Sequence, residues 1–289
     1  MTLATRTLAA VSAACVMACC ASTASAQLLV GVDDTAVPAF LYDFSGGVGP
    51  SVTPTPLSMG VQHWGLAADD AAGMLYSLNG AQFTTFTYAA ALGGGSGTTV
   101  PITSTGGSSL SMTGLAYGNG TLWGVRNVGG DGGVTPEALY SINTTTGVAT
   151  VVLDYLAANY DFGGLAFNAD DGLIYGTSDD TSPLGSGLYT INPGTGAITF
   201  VTAYPTGETD LDGLAVGGGY AFLAGDGPAG DDIYAYNLGT GLYEFTIPSP
   251  FATGETFSGA TWAPGLIPEP ASMALAGLGG LALLRRRAA

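Results

Sequence analysis

The tripeptide Gly-Leu-Ala returns at Gly65, Gly114, Gly164 and Gly213, and a degenerate copy, Gly259-Ala260-Thr261, closes the series at intervals of 49, 50, 49 and 46 residues. A fixed period of this length marks a repeated supersecondary unit rather than one continuous core. Each unit runs through the same order. Gly-Leu-Ala plus an aromatic or aliphatic residue comes first, then a turn such as Asp170-Asp171-Gly172 or Asn119-Gly120, then a short apolar run such as Leu173-Ile174-Tyr175-Gly176. A variable loop leads to Leu139-Tyr140-Ser141-Ile142-Asn143 or its echoes at 188–192 and 233–237, and a glycine turn leads to a last apolar stretch, 148–153, 197–202 or 242–247. These are four alternating strands joined by turns whose Gly and Asn tolerate positive φ. No stretch between the chain ends combines helical periodicity with helix length. Four-stranded units at this period predict an all-β protein, a β-propeller in which aromatic positions pack blade against blade.

The ends of the repeat region complement each other. Residues 27–61 begin at Leu28-Leu29-Val30-Gly31, which matches the second strand of a unit, continue to Leu41-Tyr42-Asp43-Phe44, which matches the third, and lack the first. The opposite end supplies a spare first strand, Phe257-Ser258-Gly259-Ala260-Thr261-Trp262. A missing strand and a spare one of the same type make a shared blade, which closes a ring of about five blades and removes open edges. An open β-solenoid would not need the two to match. The units of the form Tyr-x-Ile-Asn-x-x-Thr-Gly, such as residues 189–196, loosely resemble those of bacterial extracytoplasmic propellers of the quinoprotein-like kind, in architecture alone.

Both termini carry export features. Arg6, an apolar run from Leu8 to Cys20, and Ala24-Ser25-Ala26 before Gln27 form a signal peptide over 1–26, with cleavage between Ala26 and Gln27. Val16-Met17-Ala18-Cys19 is a loose lipobox, which leaves lipidation at Cys19 as a competing reading. At the other end, Pro268-Glu269-Pro270 precedes an apolar run from Ala271 to Leu284 and then Arg285-Arg286-Arg287. Fourteen residues of helix rise about 21 Å, short of the ~30 Å hydrocarbon core, and the arginines stay on the cytoplasmic side. This three-part order over 268–289 resembles the PEP-CTERM sorting signal. The resemblance implies processing by an exosortase near Pro268-Glu269-Pro270 in a Gram-negative bacterium. Transient anchoring in the inner membrane would then give way to the cell surface or extracellular matrix. A short permanent tail anchor is the plainer alternative. The propeller is assigned to 27–267.

Charge narrows the partners. The chain has 22 acidic residues and five basic ones; between the two signals Arg126 is the lone Lys or Arg, and every acidic residue except Glu269 lies there. Such a surface repels nucleic acid and anionic lipid and attracts divalent cations. The three cysteines, Cys15, Cys19 and Cys20, all fall in the leader, so the mature chain has no disulfide or thiolate site. A body of roughly 240 residues buries enough apolar surface to fold as a monomer without them.

Propeller ligands gather on the axis. If the Gly-Leu-Ala strands are innermost, the residues one and three before each glycine share one side. They include Gln62, Trp64, Asp161, Asp210 and Asp212, which predicts a polar ring with three carboxylates at the channel mouth. The residues between them, among them His63, Met112 and Phe162, face the blade interior. The plainest reading of such a ring is a hydrated channel; the sharper ones are a cation or a small polar ligand. Asp33-Asp34, Asp179-Asp180 and Asp231-Asp232, in the loops between second and third strands, are weak metal candidates without EF-hand spacing, and calcium is the cofactor this set admits. Asp69-Asp70 and Asp170-Asp171 sit where turns favour Asp. No nucleophile elbow, His metal cluster or phosphate loop is present. The reading is therefore a non-enzymatic acidic scaffold or binding module, exported, sorted and displayed among exopolysaccharide. The alternatives are a matrix polysaccharide hydrolase or lyase using Asp161 with Asp210 or Asp212, and a sugar- or calcium-binding module.

Overall fold

A computed structural model describes residues 27–32, 39–126, 137–155, 160–179, 184–225, 232–248 and 257–266. The predicted signal peptide and the sorting segment from Ile267 onward lie outside these, as do Asp33, Asp34, Asp180 and Asp231. Residues 26–266 form one compact unit.

The strands in chain order are β1 (Gln27–Val32), β2 (Ala39–Asp43), β3 (Pro54–Leu57), β4 (Gly65–Asp69), β5 (Met74–Asn79), β6 (Gln82–Thr87), β7 (Thr98–Pro101), β8 (Thr103–Ser104), β9 (Gly114–Gly118), β10 (Thr121–Val125), β11 (Ala138–Ile142) and β12 (Val148–Asp154). They continue as β13 (Phe162–Asn168), β14 (Leu173–Ser178), β15 (Gly187–Ile191), β16 (Ile198–Ala203), β17 (Gly213–Gly217), β18 (Tyr220–Ala224), β19 (Ile233–Asn237), β20 (Leu242–Ile247) and β21 (Phe257–Trp262). Five sheets result, in the orders β21-β1-β2-β3, β4-β5-β6-β7, β8-β12-β11-β10-β9, β13-β14-β15-β16 and β17-β18-β19-β20. The strands β4, β9, β13, β17 and β21 touch one another in that cyclic order, so each sheet is a blade with its Gly-Leu-Ala strand innermost. The shared blade is present: β21 pairs antiparallel with β1, with Leu28 opposite Trp262 and Val30 opposite Ala260.

Local sequence explains the blades. In the outer hairpins, the Asn143 side-chain carbonyl accepts from the Thr145 and Thr146 amides. Asn192 and Asn237 do the same for the corresponding turns. This Asx capping is why Asn recurs at the end of every third strand in those blades. Alternate residues fill the seams between blades. Tyr140, Leu122 and Met112 pack with Tyr76 and Phe83 of the preceding blade. Phe162 and Tyr189 pack with Val125 and Leu139 of theirs. Fully burying such side chains contributes about 1.5–3 kcal/mol each.

Two features depart from four plain strands per unit. Tyr88–Gly93 forms a single-turn helix α1 between β6 and β7, because Thr87 Oγ1 accepts from the Ala90 amide at its start and Gly94 ends it in the left-handed region. Its residues Ala89-Ala90-Ala91-Leu92 are strong helix formers, but the run is too short for periodicity to show. The third blade also gains a fifth strand, β8, running parallel to β12 along its outer edge.

Candidate functional site

The inner strands meet through glycine. A Cβ on Gly114 would fall 2.5 Å from the Gly163 carbonyl oxygen, and one on Gly164 would fall 2.4 Å from the Asp212 carbonyl oxygen. Leu115, Leu165 and Leu214 fill in behind, and the space left among these backbones holds no water-sized void. This corrects the hydrated channel expected behind the polar ring: the repeated glycine closes the axis, while the carboxylates expected at its mouth remain on one face.

On that face, antiparallel register places Phe162 opposite Ser178, so Asp179 follows directly across from Asp161. The Asp179 amide donates to the Asp161 carbonyl at 3.3 Å, and the Asp161 amide donates to Ser178 Oγ at 3.1 Å. The next blade enters its inner strand β17 through Asp210 and Asp212. Gly163 makes room for Asp212, whose carboxylate lies where a Cβ at 163 would be. Oxygens of Asp179, Asp210 and Asp212 consequently lie within 4.8 Å of one another, the one such acidic group among the described residues. All three are half-buried. Tyr204 donates its hydroxyl proton to Asp179 Oδ1 at 2.7 Å. Burial, the Asp212 charge and, more weakly, those of Asp210 and Asp161 push the Asp179 carboxyl up to about 8, against the pull of the Tyr204 hydrogen bond. Asp179 therefore keeps its proton at neutral pH.

Asp161 adds its charge to the group from outside it. Gln62 and Trp64 lie before β4 in the second blade, whereas the three grouped carboxylates come from the fourth and fifth blades. The Gln62 carbonyl accepts from Ser77 Oγ at 3.0 Å, and Trp64 is 37 % exposed. Asp232 presents its carbonyl to the Gly225 amide, and it is not part of the acidic group. Asp171 serves its own turn, accepting from the Leu173 amide and the Tyr175 hydroxyl. His63 is buried, as its position between Gln62 and Trp64 predicts, and packs on Gly31 of the shared blade. Its Nδ1 lies 2.7 Å from Ser77 Oγ. The Ser77 proton is committed to Gln62, so Nδ1 carries the imidazole proton. Burial holds this histidine down at about 4.

Sequence reasoning grouped Asp179 with the loop aspartates and missed its place in the centre. The signal was available in the hairpin register: Asp179, the residue that follows the second strand β14, faces Asp161 at the entry to its own inner strand.

The acidic group has a measurable signature. The Asp179 carboxyl titrates higher in the folded chain than in the unfolded one. Its stabilising effect is therefore complete below about pH 4 and is lost as pH rises through about 8. Asp179→Asn keeps an acceptor for Tyr204 and removes the titration. Thermal melts should find the variant close to wild type at pH 4 and several degrees more stable at pH 9; parallel pH profiles would show that Asp179 does not carry the shifted proton.

Residues 266–288 match the family model described as the PEP-CTERM protein-sorting motif, which takes in Pro268-Glu269-Pro270 and Arg285 to Arg287. The chain carries a PEP-CTERM sorting signal. With that signal, the chain is exported, anchored transiently in the membrane and passed on to the cell surface or beyond, with processing by an exosortase. No curated protein matches it by sequence. Among solved structures, a chain of a nidogen/laminin complex aligns with a TM-score of 0.52 at 10% identity, covering 83% of this chain and 99% of its own, which shows the fold alone. A Xanthomonas campestris gluconolactonase aligns with a TM-score of 0.46 at 14% identity, over 68% of this chain and 65% of its own. A Myxococcus xanthus glutaminyl cyclase aligns with a TM-score of 0.39 at 16% identity, over 60% and 73%. At those scores and identities neither enzyme lends its chemistry to this chain.

Proposed function

We propose that this PEP-CTERM chain is a non-enzymatic acidic propeller displayed at the cell surface or in the extracellular matrix, where it binds a divalent cation among exopolysaccharide. In this reading, residues 1–26 are the signal peptide, 27–267 the working domain and 268–289 the sorting signal. The observation that carries the cation is the mutual approach of Asp179, Asp210 and Asp212 oxygens within 4.8 Å. Calcium sits about 2.3–2.6 Å from each oxygen, so two ligands of one ion lie no more than about 5 Å apart. Three carboxylates binding in mono- or bidentate fashion supply much of its coordination, with water completing it. The ion would replace the proton on Asp179 and offset both the burial and the repulsion from Asp212 that raise its pKa. The Gly163 backbone and Tyr204 hold the carboxylates in place. His63, buried and bonded to Ser77, is not positioned to serve as a base beside them.

Calcium should then stabilise the fold by binding the native state alone. At a hundredfold excess over Kd the gain is about 2.7 kcal/mol, or roughly 5–10 °C in Tm for a domain of this size. The gain should be larger at pH 9 than at pH 6, because Asp179 must lose its proton. Differential scanning calorimetry of the full chain and of the Asp210→Asn/Asp212→Asn variant decides the matter. An equal response in both would assign the effect to diffuse screening of an acidic surface.

A further inference from the structure

The opposite face of the ring holds a second feature that the cation reading does not use. The residues three after each repeat glycine are Ala68, Tyr117, Phe167, Val216 and Trp262, and together they border a depression centred on the axis. It opens between the inner hairpins into a lobe of about 220 Å³ reaching Asp170 and Trp262, and one of about 550 Å³ reaching Asp69 and Asn119. The larger lobe alone is within the range of about 300–1,000 Å³ typical of small-molecule sites.

We infer that this bowl binds a neutral pyranose unit of a polysaccharide. The inference rests on the reading of the chain as a non-enzymatic matrix component and names the polymer chemistry that such a component would take. Aromatic rings supply the walls, and each is braced by a neighbouring blade. Phe167 lies directly over Gly118, Trp262 lies over Gly217 and parallel to Phe222 at 5.6 Å, and Tyr117 stacks on Tyr76 at 5.6 Å. Rings already fixed lose little entropy when a ligand arrives. Polar groups stand at the rim. Asp70 Oδ1 is engaged by the Tyr88 hydroxyl and the Gly265 amide, which orients the carboxylate and leaves Oδ2 to accept. Asp170 is exposed beside Asn168, whose side-chain carbonyl accepts from the Asp170 amide and so holds the turn that carries Asp170.

A ligand matching this set has an apolar C–H face and several hydroxyl donors around it, which describes a pyranose. Charge excludes the acidic sugars, because uronate or sulfate would meet Asp69, Asp70 and Asp170 on a chain of formal net charge −17. A quaternary ammonium calls for upright rings converging around one point. Here Phe167 and Trp262 are laid flat on glycine backbone and form smooth walls instead.

The test uses the full chain in a polyoxyethylene detergent, which carries no sugar headgroup, titrated calorimetrically with a neutral β-1,4-gluco-hexasaccharide, an oligoglucuronate of equal length, and choline. Saturable binding of the neutral sugar alone is expected. Ala169→Glu, an exposed change at the bowl that leaves the core untouched, and Phe167→Ala should each weaken it at least tenfold, the former with an unaltered melting temperature. Absence of saturation, equal or tighter binding of the glucuronate or of choline, or wild-type affinity in Ala169→Glu would overturn the assignment. Chromatography of the sugar after incubation separates this from the wider reading. Shortened sugar with binding lost in Ala169→Glu would support the bowl and overturn the non-enzymatic assignment. Intact sugar without binding would overturn the bowl and leave that assignment standing.

Discussion

A chain ending at Thr256 should lose its cooperative fold, whereas one ending at Leu266 should keep it. The shorter chain lacks β21, and with it the inner strand of the blade whose other three strands come from the opposite terminus. Leu28, Leu29 and Val30 in β1 are fully buried, and Trp262 covers Phe44 and Phe222. Uncovering three such side chains forfeits about 1.5–3 kcal/mol each. The total is comparable to the whole stability of a typical domain, about 5–15 kcal/mol, before the broken β1–β21 ladder is counted. Residues 26–266 make one compact unit without the sorting segment, so removal of residues 267–289 should leave the melting transition sharp and nearly unmoved. Circular dichroism melts of the two truncations compare them directly. A cooperative transition in the chain ending at Thr256 would show that the shared blade does not hold the ring together.

Gly164→Ala should destabilise the propeller by about 3 kcal/mol, with Gly114→Ala close behind. The added methyl would lie 2.4 Å from the Asp212 carbonyl oxygen and 2.6 Å from Thr177 Oγ1 at position 164, and 2.5 Å from the Gly163 carbonyl oxygen at position 114. Backbone atoms of neighbouring blades cannot rotate aside, so the inner strands must separate, and overpacking of this kind costs about 1–3 kcal/mol or more. Gly46→Ala is the control, since its methyl would meet nothing within 4 Å, and it should be neutral or slightly stabilising. Urea denaturation reads all three. Equal midpoints for Gly164→Ala and Gly46→Ala would mean that the axis is more open than the close approach of these strands implies.

Much of the architecture was legible from residues. Blade number, strand order and the shared blade follow from the spacing of Gly-Leu-Ala and from the match between Leu28-Leu29-Val30-Gly31 and the second strands, because a repeat unit that cannot bury its own faces dictates how its copies stack. The turns were legible for the same reason: Asn143, Asn192 and Asn237 act within a few residues of themselves. The helix at 88–93 was not, because one turn depends on Thr87 and Gly94 as caps and leaves no periodic trace. The edge strand β8 was not either, since two residues gain their pairing only from where β12 happens to run.

The site divides along the same line. Sequence alone determined that the chain is exported and sorted, that it repeats as five β units, that its surface is strongly acidic, and that Asp210 and Asp212 stand together before an inner strand. All of these are carried by composition, by local motifs or by periods along the chain. Only the tertiary structure decided that the axis is shut, that Asp179 joins Asp210 and Asp212 across a blade boundary, and that Tyr117, Phe167 and Trp262 border one bowl on the far face. Those outcomes depend on distances between atoms of different blades. The closest of them, glycine backbone against neighbouring backbone, is set by how tightly five sheets can pack around a point, which no single repeat encodes.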